Sequence, residues 1–167
     1  MIDKRAVAAA GLFAACSALG AAISLQEDIP GEPLGIRVPG SVAVHLATGW
    51  GSALSAPAPM QVAAVVAAFS ARPGLRWPAR TLTGMGVAGL AGILVEPVTW
   101  ACRPRSRAVA AMLPLEFASV LALIWAGRKI QQNEGTPRPT RAGIGGLRSN
   151  ALHRGPKIGR WSGRTLG

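Results

Sequence analysis

The chain has 167 residues, enough for one domain and too few for two ordinary ones. Half of them are hydrophobic and only 15% are charged, against roughly 25% in a typical globular protein, which argues against a water-soluble domain. The formal net charge is +11, but the basic residues punctuate apolar runs or lie beyond Ala126, a pattern suited to membrane orientation rather than to reading nucleic acid.

The first apolar run covers residues 6–25, after Asp3-Lys4-Arg5 and before Gln26-Glu27-Asp28. Twenty helical residues span roughly 30 Å, the thickness of a bilayer core. A secretory signal is the competing reading, with Phe13-Ala14-Ala15-Cys16 faintly like a lipoprotein cleavage box. Because the run stays apolar for nine residues past Cys16, a retained helix is expected. A Pro/Gly loop at 26–40 carries Glu27, Asp28 and Glu32 against Arg37.

The second run, 41–71, would be roughly 46 Å long as one straight helix, well beyond the hydrocarbon core. Pro57 and Pro59 remove backbone donors inside it, so one crossing kinked or broken near Pro57 is expected. A loop with Arg72, Arg76, Trp77 and Arg80 leads to a glycine-rich third run, 81–101. After Arg103, Arg105 and Arg107 the fourth run covers 108–126 and stops at Arg128-Lys129. The expected fold is all-α, a polytopic membrane bundle of about four transmembrane helices over residues 1–126. From Gly127 onward come nine basic residues and a single acid, Glu134, without apolar periodicity. Such a segment cannot bury enough surface to offset its ordering entropy, so 127–167 is expected to be a disordered basic cytoplasmic tail.

With both termini inside, Lys4, Arg5, Arg72, Arg76, Arg80, Arg128 and Lys129 are cytoplasmic, and Arg37, Arg103, Arg105 and Arg107 are outside. Seven against four favours this orientation, expected in the plasma membrane of a bacterium. The 103–107 arginines run against it, and contact with an anionic lipid or solute would give them a role there.

Helices in lipid associate by close backbone approach over small residues. Ala6, Ala10, Ala14, Ala18 and Ala22 on the first helix and Gly84, Ala88 and Gly92 on the third form such stripes, for contact within the chain or between copies. Gly84-Met-Gly86-Val-Ala-Gly89 matches the dinucleotide fingerprint GxGxxG. It lies in an apolar run with no acid twenty positions on, so helix packing is the better reading. Trp77, Trp100 and Trp125 fall at or beside membrane boundaries, where amphipathic rings prefer the headgroups. Cys16 and Cys102 read as small packing residues without metal or redox spacing.

Three ionisable residues remain within the apolar runs: His45, Glu96 and Glu116. Such groups are costly in hydrocarbon and generally face a bundle interior or water. Helix rise puts Glu96 roughly 9 Å, Glu116 roughly 13 Å and His45 roughly 6 Å below the outer boundary. His45, Thr48, Ser52 and Ser55 recur at spacings of three and four, one polar stripe. Pro97 follows Glu96 and Pro114 precedes Glu116, so both carboxylates sit by possible helix irregularities. An outward-facing polar pocket is expected, where one of two repelling carboxylates carries a proton or coordinates a cation. His45 is a candidate proton relay or metal ligand there. The plainer readings are that Glu96 reaches Arg103 and that Thr48, Ser52 and Ser55 bond their own helix backbone.

No nucleophile elbow, HExxH, phosphate loop or CxxC is present, and neither catalysis nor a cofactor or resident metal is expected. The first functional expectation is an accessory or interaction subunit of a membrane complex, its tail touching anionic phospholipid or a cytoplasmic partner. The alternatives are a small proton- or cation-linked transporter or pore using Glu116, Glu96 and His45, and a holin-like membrane-permeabilising protein. Nucleic acid is not the expected partner, since the tail offers only Trp161 for stacking.

Overall fold

The computed structural model describes residues 2–36, 38–48, 51–100 and 106–135. Among them the backbone is helical with short connections; β-pairing is limited to isolated bridges at Ser52. The helices are α1 (Lys4–Gln26), α2 (Val42–Thr48), α3 (Ala58–Ser70), α4 (Arg76–Val95), α5 (Pro97–Trp100) and α6 (Arg107–Gly135), with a 3-10 turn at Pro33–Gly35. α1, α4 and the Arg107–Asn133 stretch of α6 are long and apolar enough to cross a membrane. Their surroundings are apolar as well, since Leu12, Leu19, Val87, Leu115 and Leu121 stay exposed. So many large apolar side chains on one small surface fit lipid better than water.

Asp3 starts α1 by accepting hydrogen bonds from the Arg5 and Ala6 amides at 2.8 and 3.3 Å, which satisfies two first-turn donors. α1 buries Ala6, Ala9, Ala10, Phe13, Ser17 and Gly20, a stripe at spacings of three and four. The strict four-residue alanine stripe does not stay on that face. Ala10 is buried, Ala14 half-buried and Ala18 exposed. Each four-residue step turns the helix about 400°, so a strict four-residue row drifts about 40° per step.

The run expected at 41–71 does not form one helix. α2 has seven residues, and α3, starting behind Pro57, has 13, about 20 Å and short of a bilayer core. Between them the described residues 51–57 are non-helical. α4 begins at Arg76 and ends at Val95, earlier at both ends than expected, because Pro97 holds Glu96 extended (ψ 133°). α6 instead runs nine residues past Ala126 to Gly135. Gly127-Arg-Lys-Ile-Gln-Gln contains mostly good helix formers, and Ile130 is buried against the helical core. The rest of the expected tail, 136–167, lies outside the described residues, as do Arg37, Trp50 and residues 101–105.

Helix directions follow from contacts at the two ends. Ser106 Oγ, ahead of α6, donates to Glu27 Oε1 at 2.7 Å just past the end of α1, while the Arg5 guanidinium lies 5.9 Å over the Trp125 ring. α6 is therefore antiparallel to α1. It is antiparallel to α4 too, because Gly127 packs on Ala79 and Thr83, and Gly89 on Val120. α1 and α4 thus run the same way, and the chain between them must return along the bundle. It does so, since the Asp3 amide donates to the Ala71 carbonyl at 3.2 Å, just after α3. Lys4, Arg5, Arg72, Arg76, Arg80, Arg128 and Lys129 all belong to this end, and Glu27, Asp28, Glu32, Glu96 and Arg107 to the other.

The α4–α6 seam is made by glycine. A Cβ on Gly86 would stand 2.8 Å from the Val120 carbonyl oxygen, and one on Gly127 would stand 2.6 Å from that of Ala79. A Cβ added at Gly84 or Gly92 would meet nothing within 4 Å, and both positions, like Ala88, are exposed. Gly127→Ala should therefore lower thermal stability in detergent by about 1–3 kcal/mol, the usual cost of overpacking. Gly84→Ala should leave it unchanged or raise it by up to about 1 kcal/mol through helix propensity.

Candidate intramembrane site

The non-helical segment between α2 and α3 runs beside the C-terminal half of α1. Ser52 Oγ donates to Ser24 Oγ at 2.9 Å, and Ser55 Oγ to the Ser17 carbonyl at 2.7 Å. Between these two anchors a Cβ on Gly20 would collide with the Leu54 carbonyl oxygen. Only glycine lets α1 and this backbone approach so closely. Ser52 and Ser55 also exchange amide–carbonyl bonds at 3.0 and 3.3 Å, and the Gly51 amide donates to the His45 carbonyl at 3.0 Å. These pairings hold irregular backbone where water is scarce.

Glu116 projects from the middle of α6 at this level. It is 4% exposed, its Oε1 has no hydrogen-bond partner, and that oxygen is 3.2 Å from where a Gly20 Cβ would stand. Glu96, freed from α4 by Pro97, is also buried and accepts from the Glu32 amide at 3.2 Å. Both carboxylates line one cavity of about 260 Å³. Its remaining wall is mostly apolar, with Phe13, Leu54, Met60, Ile93 and Val120 beside the Ser52–Pro57 backbone. No Lys, Arg or His is among the described residues that line it.

The candidate residues thus divide. Glu96, Glu116, Ser52 and Ser55 share the cavity. His45, on α2, is buried and does not line it, Nε2 lying 3.2 Å from the Pro39 carbonyl and Nδ1 without a partner. Thr48 is exposed and donates to the Val44 carbonyl at 2.7 Å, the local backbone bond that a helical threonine commonly makes. Their periodicity fails to place them together because the helix ends at Thr48 and a helical period has no meaning beyond it. Pro114 is exposed, and α6 continues through it. Arg107 is exposed, while Arg103 and Arg105 lie outside the described residues. Among the described residues no three His, Cys, Asp or Glu side chains converge as a metal site.

Gly20, Ser17 and Ser24 did not stand out in the sequence. They sit three to four residues apart on α1, a polar and small stripe hidden among similar alanines. Ser17 Oγ is buried without a partner near the same backbone. Comparison with known protein families, characterised proteins and solved structures gives no match.

If the Ser24–Ser52 hydroxyl bond helps hold the non-helical turn, a double-mutant cycle with Ser24→Ala and Ser52→Ala will show coupling. Its expected size is about 0.6 kcal/mol, the average for side-chain hydrogen bonds between membrane helices. Gly20→Ala should be much more damaging, lowering the yield of folded protein in detergent, because the Leu54 carbonyl has no room to retreat between α1 and α6.

Proposed function

We infer that this is a small integral membrane protein that moves a proton-linked or cationic solute through the cavity between α1, α4 and α6. The observation carrying this reading is the buried, unpartnered Oε1 of Glu116 on a cavity wall that already holds a second carboxylate. An ionisable group at such depth is costly and serves best where charge must be carried. A chain broken into α2, a non-helical turn and α3 beside that cavity supports the same reading, since irregular backbone at membrane depth is tolerated where it lines a cavity.

In this reading the protein crosses four times, the 41–71 run being the broken second crossing that returns the chain between parallel α1 and α4. The seven basic residues at the Lys4 end favour a cytoplasmic location for that end, and with it both chain termini, in a bacterial plasma membrane. The basic residues of 127–167 favour contact with anionic phospholipid on that side.

A second reading, an accessory subunit of a membrane complex, is favoured by the exposed Gly84, Ala88 and Gly92, which offer close approach to a helix of another chain. Flux separates the two. Purified full-length protein in liposomes with an entrapped pH dye should dissipate an imposed pH gradient faster than protein-free liposomes. Glu116→Gln should cut that rate at least tenfold while inserting and melting like the parent. Absence of flux, together with co-isolation of defined membrane subunits from native membranes, would instead establish the accessory role.

A further inference from the structure

The walls of the cavity narrow the kind of solute. Two carboxylates reach it and no basic side chain among the described residues does, so its charge selects cations. An anion finds little at the start of α3, because Pro57 and Pro59 carry no N–H and the Met60 amide is already bonded to the Pro57 carbonyl at 2.9 Å. A bare metal cation fits poorly as well. Hard cations gather six or more oxygens at roughly 2–2.6 Å, whereas here apolar side chains fill most of the wall. A proton alone needs no apolar chamber.

Size and access point further. A buried apolar cavity of about 150 Å³ accommodates benzene, so about 260 Å³ at the same ratio takes about ten heavy atoms. Ala88 and Gly92 line the cavity and are also exposed on the outer surface of α4. The cavity therefore opens sideways, where α4 carries only small residues, toward the acyl chains into which an apolar body partitions.

We propose that the cavity binds a small organic cation, an ammonium group on an apolar body of about ten heavy atoms, admitted from the lipid past Ala88 and Gly92. The ammonium sits against Glu116, whose free oxygen lacks any other partner, and the body packs among Phe13, Met60 and Ile93. This rests on the cavity being the transport site and names what that site takes. Glu96, near the Glu32 end, offers the second position along the way out.

The test is equilibrium binding to full-length protein in lipid nanodiscs, using labelled benzyltrimethylammonium and its neutral carbon isostere, neopentylbenzene. The cation should bind saturably at one site per chain, and the isostere should partition as into empty discs. Glu116→Gln should weaken cation binding at least tenfold, and Glu96→Gln, whose amide oxygen still accepts from Glu32, by a smaller factor. Gly92→Leu, at a position where a side chain meets no neighbour, should slow association at least fivefold with an unchanged melting temperature. Cation uptake no greater than in empty discs overturns the proposal, as does equal binding of the isostere. If Glu116→Gln does not fold, the charge requirement is read from Glu96→Gln and the isostere alone, and loss of both differences overturns it. Cation binding without flux would sink the transport reading and leave the proposal standing. Proton flux without cation binding would do the reverse.

Discussion

The structure depends on one close approach, that of the Leu54 carbonyl to α1 at Gly20. A polypeptide in lipid must satisfy its own amides and carbonyls, and a helix does so without help. Residues 51–57 are not helical, and their backbone pairs locally, Ser52 with Ser55 and the Gly51 amide with the His45 carbonyl. The Ser52 and Ser55 hydroxyls then tie this turn to α1, at Ser24 Oγ and the Ser17 carbonyl. A side chain at position 20 would hold that backbone off α1 and break both hydroxyl ties. This non-helical turn forms one wall of the cavity. A continuous helix there would present side chains to the space that now lies between Leu54 and Val120.

Two prolines act in the same way at different places. Pro57 separates the turn at 52–55 from α3, and Pro97 ends α4 so that Glu96 turns back toward Gly31 and Glu32. Each converts a helix interior into a helix end and thereby brings a polar group to the cavity. Pro114 does neither, because it sits on the exposed side of α6, where losing one amide donor opens nothing. A proline's effect therefore depends on which face it occupies.

Packing between α4 and α6 follows a different rule. With apolar lipid outside there is little hydrophobic gain in joining two helices, so contact relies on dispersion at short range. Gly86 and Gly127 supply it from opposite partners, each taking a backbone carbonyl of the other helix. At Ala88 and Gly92 the same poverty of side chains leaves α4 exposed beside the cavity. Small residues thus close the bundle on one face of α4 and open it on another.

Several features were legible in the sequence alone. The apolar runs marked three of the long helices, the charge distribution separated the two ends, and Pro97 marked the end of α4, whereas α6 continues through Pro114. The exceptions to apolarity, Glu96 and Glu116, stood out because a carboxylate in hydrocarbon needs a reason. What periodicity left undetermined was direction around each helix axis. A helix apolar on every side has no contrast between faces, so nothing distinguished Gly84 and Gly92 from Gly86 and Gly89, or Ala18 from Gly20. Nor does a helical period continue through a segment that has left the helix, which is why His45 and Thr48 part from Ser52 and Ser55. Those choices were made by tertiary structure, where only the glycines that meet a neighbouring backbone lie inside and only the carboxylates at the broken segment share a cavity.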